Sequence, residues 1–124
     1  MQQAGWSGYF VTMDGLRLHF HDWMPPEPSR PPQSLILIVH GFGEHGARYE
    51  HVAAYLTARG HAVSVHDHRG HGRSEGRRAY IDTFDRYLDD LAVYIRHVRG
   101  EYPDLPLFLF GHSMGGAIAT LFCL

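Results

Sequence analysis

Residues 107–116 read Leu-Phe-Leu-Phe-Gly-His-Ser-Met-Gly-Gly. The apolar run 107–110 has the pattern of a strand buried on both faces, and the small residues Gly115, Gly116 and Ala117 open a helix after it. Between them Gly111-His112-Ser113-Met114-Gly115 fits G-x-S-x-G, the tight strand-to-helix turn that lifts a serine hydroxyl above a sheet. Gly111 and Gly115 are needed at these positions because a side chain at either would collide with the neighbouring strand and helix. A glycine-rich turn could instead open an anion-binding helix. The spacing fits neither G-x-G-x-x-G nor the P-loop, however, and the P-loop needs a lysine, of which this chain has none.

The segment upstream repeats the same logic. Leu35–Val39 (LILIV) is continuously apolar and runs into His40-Gly41-Phe42-Gly43. Tyr49, Val52, Ala53 and Leu56 share one helical face, Arg59 suits the negative end of that helix, and Gly60 is a left-handed stop. Residues 62–65 form a second short buried strand. Asp82 or Thr83 caps a further helix in which Phe84, Leu88, Leu91, Ile95 and Val98 recur at helical spacing, closed by Gly100 and Pro103. At the amino end, residues 9–13 and 16–23 flank Asp14-Gly15, the signal for a two-residue hairpin turn. Five of the seven prolines fall between Pro25 and Pro32, and they make that stretch a stiff connecting loop rather than a domain boundary. The expectation is a single α/β domain over residues 1–124: an antiparallel hairpin, then parallel strands with flanking helices and right-handed crossovers.

Composition narrows the function classes. With 11 arginines against 13 acidic residues the formal charge is −2 over 124 residues, so no nucleic acid or other polyanion is expected as a partner. The single cysteine, Cys123, excludes an internal disulfide framework and leaves a reducing compartment as the default. No apolar stretch is long enough to span a bilayer. Residues 1–10 show no secretory signal, which makes the cytoplasm the expected location. Residues 117–124 are apolar apart from Thr120 and lack a helix cap, the pattern of an interrupted chain.

Three chemistries are open at this point. Ser113 is a candidate nucleophile, and acyl transfer would need two N–H donors for its oxyanion, for which the Phe42 and Met114 amides are the candidates. Alternatively, His66, His68 and His71 have the H-x-H-x-x-H spacing of a zinc-dependent hydrolase, although Gly70 stands where that pattern needs an aspartate. Most of the eleven histidines read more simply as polar loop residues. A third reading is a non-catalytic binding module, with Phe42, Tyr49 and Tyr80 lining a lipid-facing rim.

Three segments, HGFGEHGARYEHVA (residues 40–53), HDHRGHGRSEG (66–76) and GHSMGG (111–116), together resemble the monoacylglycerol lipase and lysophospholipase branch of the α/β-hydrolases. Some members of this branch carry the label serine aminopeptidase, which extends the implied substrates from esters to amides. The resemblance implies the N-terminal half of an α/β-hydrolase that cleaves monoacylglycerols or lysophospholipids through an acyl-Ser113 intermediate. It implies the Phe42 and Met114 backbone N–H groups as oxyanion hole, with His40, Gly41, Gly111 and Gly115 as supporting motif residues. Asp67, Gly70, Gly72 and Ser74 match a loop that shapes the rim of the site. No cofactor and no metal are implied, the partner is a lipid or small ester substrate, and peripheral contact with a membrane is compatible.

The chain departs from the family after Ser113. Triad order in this fold is Ser, then Asp or Glu, then His, yet none of the 11 following residues is acidic or histidine. The later strands and the lid are likewise absent. The 124 residues are therefore expected to be nearly inactive alone, since a serine without its base is a weak nucleophile. Neither upstream histidine is expected to replace the base: His112 should point away from the turn, and His40 has no evident carboxylate to orient it. Without later neighbours, strand 107–110 becomes an apolar edge, and self-association or aggregation is expected.

Overall fold

A computed structural model describes residues 4–26 and 30–124. Pro28 of the proline-rich loop and the first three residues of the stretch read for a signal lie outside the described residues. The chain forms β1 (Ala4–Val11), β2 (Arg17–Met24), β3 (Leu35–Val39), a 3₁₀ turn (Gly46–Tyr49), α1 (Glu50–Thr57), β4 (Ala62–His66), α2 (Asp85–Glu101), β5 (Leu107–Gly111) and α3 (Met114–Cys123). The strands make one sheet in the order β1-β2-β4-β3-β5. β1 and β2 are antiparallel to each other, and β2 is antiparallel to β4. β3 runs parallel to both β4 and β5. This is the α/β architecture expected, with the hairpin at one edge and β5 at the other.

Alternation along β3 explains why both faces need cover. Leu35, Leu37 and Val39 point to one side, where α2 and α3 contribute Tyr87, Leu91, Tyr94, Val98 and Ile118 to the larger core cluster. Ile38 points to the other side and packs with Trp23, Val63 and Val65 under Tyr49 and Ala53. A continuously apolar strand satisfies both layers at once. At the outer edge Phe108 and Phe110 of β5 are 57% and 43% exposed among the described residues.

Three local expectations need correction. The hairpin turn is a three-residue loop, because Thr12 N–H donates to Leu16 O (2.9 Å) and Gly15 N–H to Thr12 O (3.1 Å). Only Gly15 takes a positive φ there, +91°, as a turn followed by a left-handed glycine requires. β1 also begins at Ala4, earlier than expected, since Gly5 and Gly8 weaken the strand pattern while the ladder to β2 continues past them. Lastly, neither Asp82 nor Thr83 caps α2: the residue before the helix is Phe84, which makes no side-chain cap. The Asp82 carboxylate instead accepts the Thr83 N–H (2.9 Å) and pairs with Arg86. The helix also runs through Gly100 to Glu101.

The stop after α1 is as expected. Gly60 has φ +95°, its N–H reaches Thr57 O (3.0 Å), and His61 N–H reaches Leu56 O (3.2 Å), the paired bonds of a Schellman ending.

One ion network joins the hairpin turn to the helix layer. Arg69 donates Nε and Nη2 to Asp90 of α2, both at 2.8 Å, and Nη1 and Nη2 to Asp14 of the turn at 2.9 and 2.8 Å. Asp90 is almost completely buried. Arg69→Ala would leave that carboxylate uncompensated, and we expect a loss of about 3–5 kcal/mol in a urea melt. A loss below ~1 kcal/mol would show the network to be peripheral.

Candidate active site

The site forms where the carboxyl ends of β3, β4 and β5 meet the amino end of α3. Ser113 connects β5 to α3 with φ +57° and ψ −121°, a left-handed φ that costs a residue bearing a side chain on the order of 1–3 kcal/mol. The surroundings hold it there. His112 N–H donates to Val39 O (3.1 Å), while Ser113 O accepts from Gly116 (2.9 Å) and Ala117 (3.3 Å). A Cβ at Gly115 would lie 1.8 Å from Val39 O, and one at Gly111 would lie 2.5 Å from Gly115 O. Both positions therefore require glycine.

The loop after β3 lies beside this turn. A Cβ on Gly41 would come within 3.3 Å of both His112 O and the Ser113 Cβ. Phe42 follows, its ring 58% exposed and edge-on to His71 at 5.3 Å. Among the described residues the Phe42 and Met114 N–H groups donate to no other protein group. The Met114 amide adjoins the serine and the Phe42 amide lies in the loop packed beside it, both without a protein acceptor, and preoriented donors of this kind are what an oxyanion site uses.

His40 is wholly buried. Its Nδ1–H donates to Gly41 O (2.7 Å) and its Nε2 accepts the His68 N–H (3.0 Å). This fixes the neutral tautomer, and burial pulls the pKa down to about 4. With both nitrogens engaged, His40 serves as scaffold. His68 Nε2 returns a bond to His40 O at 2.8 Å. His112 is 3.6 Å from Glu44 Oε2 through Nδ1.

Asp67, at the end of β4, ties the rim together. Its carboxylate accepts the Gly46 N–H (2.6 Å) and the Arg73 N–H (3.0 Å) and lies 3.3 Å from His19 Nδ1. Ser74 Oγ donates to Asp67 O at 2.6 Å and accepts the His19 N–H at 2.8 Å. Gly70 and Gly72 both have positive φ. These bonds tie the loop after β4 to β2 and to the 3₁₀ turn.

The alternative ligand set His66, His68 and His71 does not assemble. His66 is packed against Tyr94 and Phe10 in the core, His68 Nε2 is committed to His40 O, and His71 Nδ1 faces Arg69 O at 3.0 Å. Among the described residues no three His, Cys, Asp or Glu side chains converge as a cation site. Glu44, in contrast, has no motif signal beyond a carboxylate three residues after Gly41, yet it makes the densest contacts in the loop. Its Oε1 accepts the Gly41 N–H (2.8 Å) and the Tyr49 hydroxyl (2.7 Å).

The family model described as serine aminopeptidase S33 matches residues 30–124. The chain belongs to that family. Monoglyceride lipase of Rattus norvegicus is 42% identical over 113 residues, 91% of this chain and 36% of that protein. A thermostable carboxyl esterase of Bacillus coagulans superposes with a TM-score of 0.84 at 31% identity, over 98% of this chain and 40% of the esterase. A soluble variant of the Saccharomyces cerevisiae monoglyceride lipase gives a TM-score of 0.84 at 25% identity, over 98% of this chain and 39% of the lipase. This S33 chain therefore spans about a third of the length of the curated relatives it matches. Among its described residues no helix is long and apolar enough to cross a membrane.

Two predictions follow from the packing of the site. Gly115→Ala should abolish native folding, read as loss of a cooperative urea transition, because the methyl has no room against β3. Acid should destabilise the native state in a defined window. His40 and His66 are held by burial at about 4 and about 3, below their ordinary 6.5, and His68 is lowered in the same way. Above pH 6.5 both states carry them neutral. Below it only the unfolded chain takes up their protons, so stability falls by up to about tenfold per histidine for each pH unit until the folded values are reached. Asp22, raised by burial to about 6, and Asp90, also raised by burial, work in the opposite direction, but they are outnumbered by these three histidines together with His21, which burial lowers as well. Urea midpoints should drop steadily from pH 6.5 to 4.5, and a flat profile would contradict the buried neutral imidazoles.

Proposed function

We propose that the complete protein is a serine ester hydrolase that cleaves lipid monoesters, monoacylglycerols or lysophospholipids, through an acyl-Ser113 intermediate. The observation that carries this reading is the left-handed Ser113 between β5 and α3, with the glycine loop of β3 packed beside it. Membership of the S33 family and the similarity to monoglyceride lipases and a carboxyl esterase support the ester chemistry.

In this reading the Ser113 Oγ attacks the ester carbonyl, and the negative charge forming on the carbonyl oxygen is taken up by the Phe42 and Met114 N–H groups. Such donors stabilise the transition state effectively because they are already oriented when charge develops. His40 does not act as general base, since both its nitrogens are engaged. The reading assigns the base and its orienting carboxylate to the part of the protein outside these residues. Collapse of the tetrahedral intermediate expels the alcohol and leaves the acyl group on Ser113, and water then releases the fatty acid. The exposed Phe42 ring is an apolar surface at the mouth of the site suited to a lipid chain.

Ser113→Ala in the longest natural form of the protein tests this. Turnover of 1-monoacylglycerol should fall by roughly 10³-fold or more, and covalent labelling by a fluorophosphonate should disappear. A variant that hydrolyses like the parent would overturn the assignment. A parent that binds lipid without hydrolysing any ester would favour the binding-module reading.

A further inference from the structure

An oxyanion donor is effective only if its N–H points at the place where the charge will form, and Phe42 sits in the six-residue loop 40–45 with glycine on either side, Gly41-Phe42-Gly43. Glycines give the backbone many conformations. Something must select one.

The peptide unit that carries the Phe42 N–H also contains the Gly41 carbonyl, and the two are fixed in one plane and point in opposite directions. Gly41 O accepts from His40 Nδ1–H at 2.7 Å and from the Glu44 backbone N–H at 3.2 Å. The preceding peptide is held from its other side, because the Gly41 N–H donates to Glu44 Oε1 at 2.8 Å. Glu44 thus grips both peptides around Gly41, one through its main chain and one through its carboxylate. Tyr49 OH supplies a second donor to the same oxygen at 2.7 Å, which stops the carboxylate from rotating away. The other oxygen, Oε2, reaches His112 Nδ1 at 3.6 Å and Arg48 Nη1 at 3.9 Å. His112 is the residue before Ser113, so one carboxylate spans the loop that carries one oxyanion donor and the turn that carries the other. The Glu44 side chain is only 17% exposed, so water competes weakly for it.

We infer that Glu44 is a positioning residue of the ester hydrolase: it orients the Phe42 N–H by holding both peptides of Gly41 and fixes that loop against the Ser113 turn. The inference rests on the serine hydrolase reading. Its effect lies on the transition state rather than on substrate binding, because the donor it aims is used fully only once the carbonyl oxygen carries charge. Reach should therefore matter more than charge. Glutamine keeps an acceptor oxygen at the same distance, whereas aspartate keeps the charge and withdraws it from Gly41 by one methylene.

The test is kcat and KM for p-nitrophenyl butyrate in the longest natural form of the protein, with Glu44→Gln, Glu44→Asp and Glu44→Ala, each checked by its urea transition. Losing a donor of this kind outright costs about 10²–10³ in kcat. Misaiming one should cost about 10- to 100-fold in the Asp and Ala variants, with KM within about twofold, and the Gln variant should recover most of that loss. If Ala fails to fold, the comparison of Gln with Asp decides alone. Asp with parental kcat, or Gln as impaired as Asp, would overturn the positioning role while leaving the hydrolase reading intact. A parent enzyme with no esterase activity would overturn the hydrolase reading itself, and the role of Glu44 with it.

Discussion

The first turn of α3 lies directly against the end of β3, backbone on backbone, with no side chain between them. The measure of that contact is the 1.8 Å that would separate a Cβ on Gly115 from Val39 O. Most of the site depends on this approach. Because the helix starts so close, the chain must leave β5 and reverse direction within two residues, which places Ser113 in its left-handed conformation. The same closeness brings the Ser113 turn within contact of Gly41, so that the two loops share one small space. A larger residue at either glycine would separate the serine from the Phe42 amide.

Around that contact the polar groups are satisfied by unusual means. Strand ends leave carbonyl and N–H groups without ladder partners, and buried groups of that kind are costly if unpaired. Here the neutral imidazole of His40 donates at Nδ1 and accepts at Nε2, so one uncharged side chain closes two open backbone groups. A lysine could only donate and would carry charge into the core. A histidine follows or ends each of the three parallel strands: His40 after β3, His66 in β4 and His112 after β5. Of the histidine run from His66, His68 and His71 each bond one backbone carbonyl and His66 packs among aromatic rings, and no cation site forms from them among the described residues.

Much of this was legible in the sequence, and the parts that were not share a cause. Apolar runs identified β3, β4 and β5, but burial on both faces explains only β3 in full: β4 is buried yet carries Ser64, and Phe108 and Phe110 of β5 lie exposed at the sheet edge. Gly111 and Gly115 could be read as sterically required, and the structure gives the clashes. β1 was underestimated since its glycines hide a strand that only pairing with β2 reveals. The start of α2 was misplaced because Asp82 satisfies a neighbouring N–H in the preceding turn instead of the helix itself. Glu44 was invisible for a related reason: its partners Gly41, Tyr49 and His112 are defined by the fold of two loops, and no spacing along the chain announces them. Local propensity is written in sequence, whereas a carboxylate that serves several donors exists only after the chain has folded.

The arrangement also separates two duties that an acyl-transfer site must combine. In the proposed mechanism electrostatic stabilisation rests on backbone amides fixed by buried, uncharged or paired groups: His40 held neutral, Glu44 kept ionised because the Gly41 N–H donates to it. These groups change little in protonation near neutral pH, so the geometry they hold is insensitive to pH until acid reaches the buried histidines. Proton transfer requires the contrary, a group whose protonation changes during each turnover. Placing it within the same buried network would make every catalytic protonation perturb the donors' aim. In the mechanism we propose, a rigid, non-titrating stabilising shell with proton transfer left to a separate group lets the Phe42 and Met114 amides hold one orientation throughout the reaction.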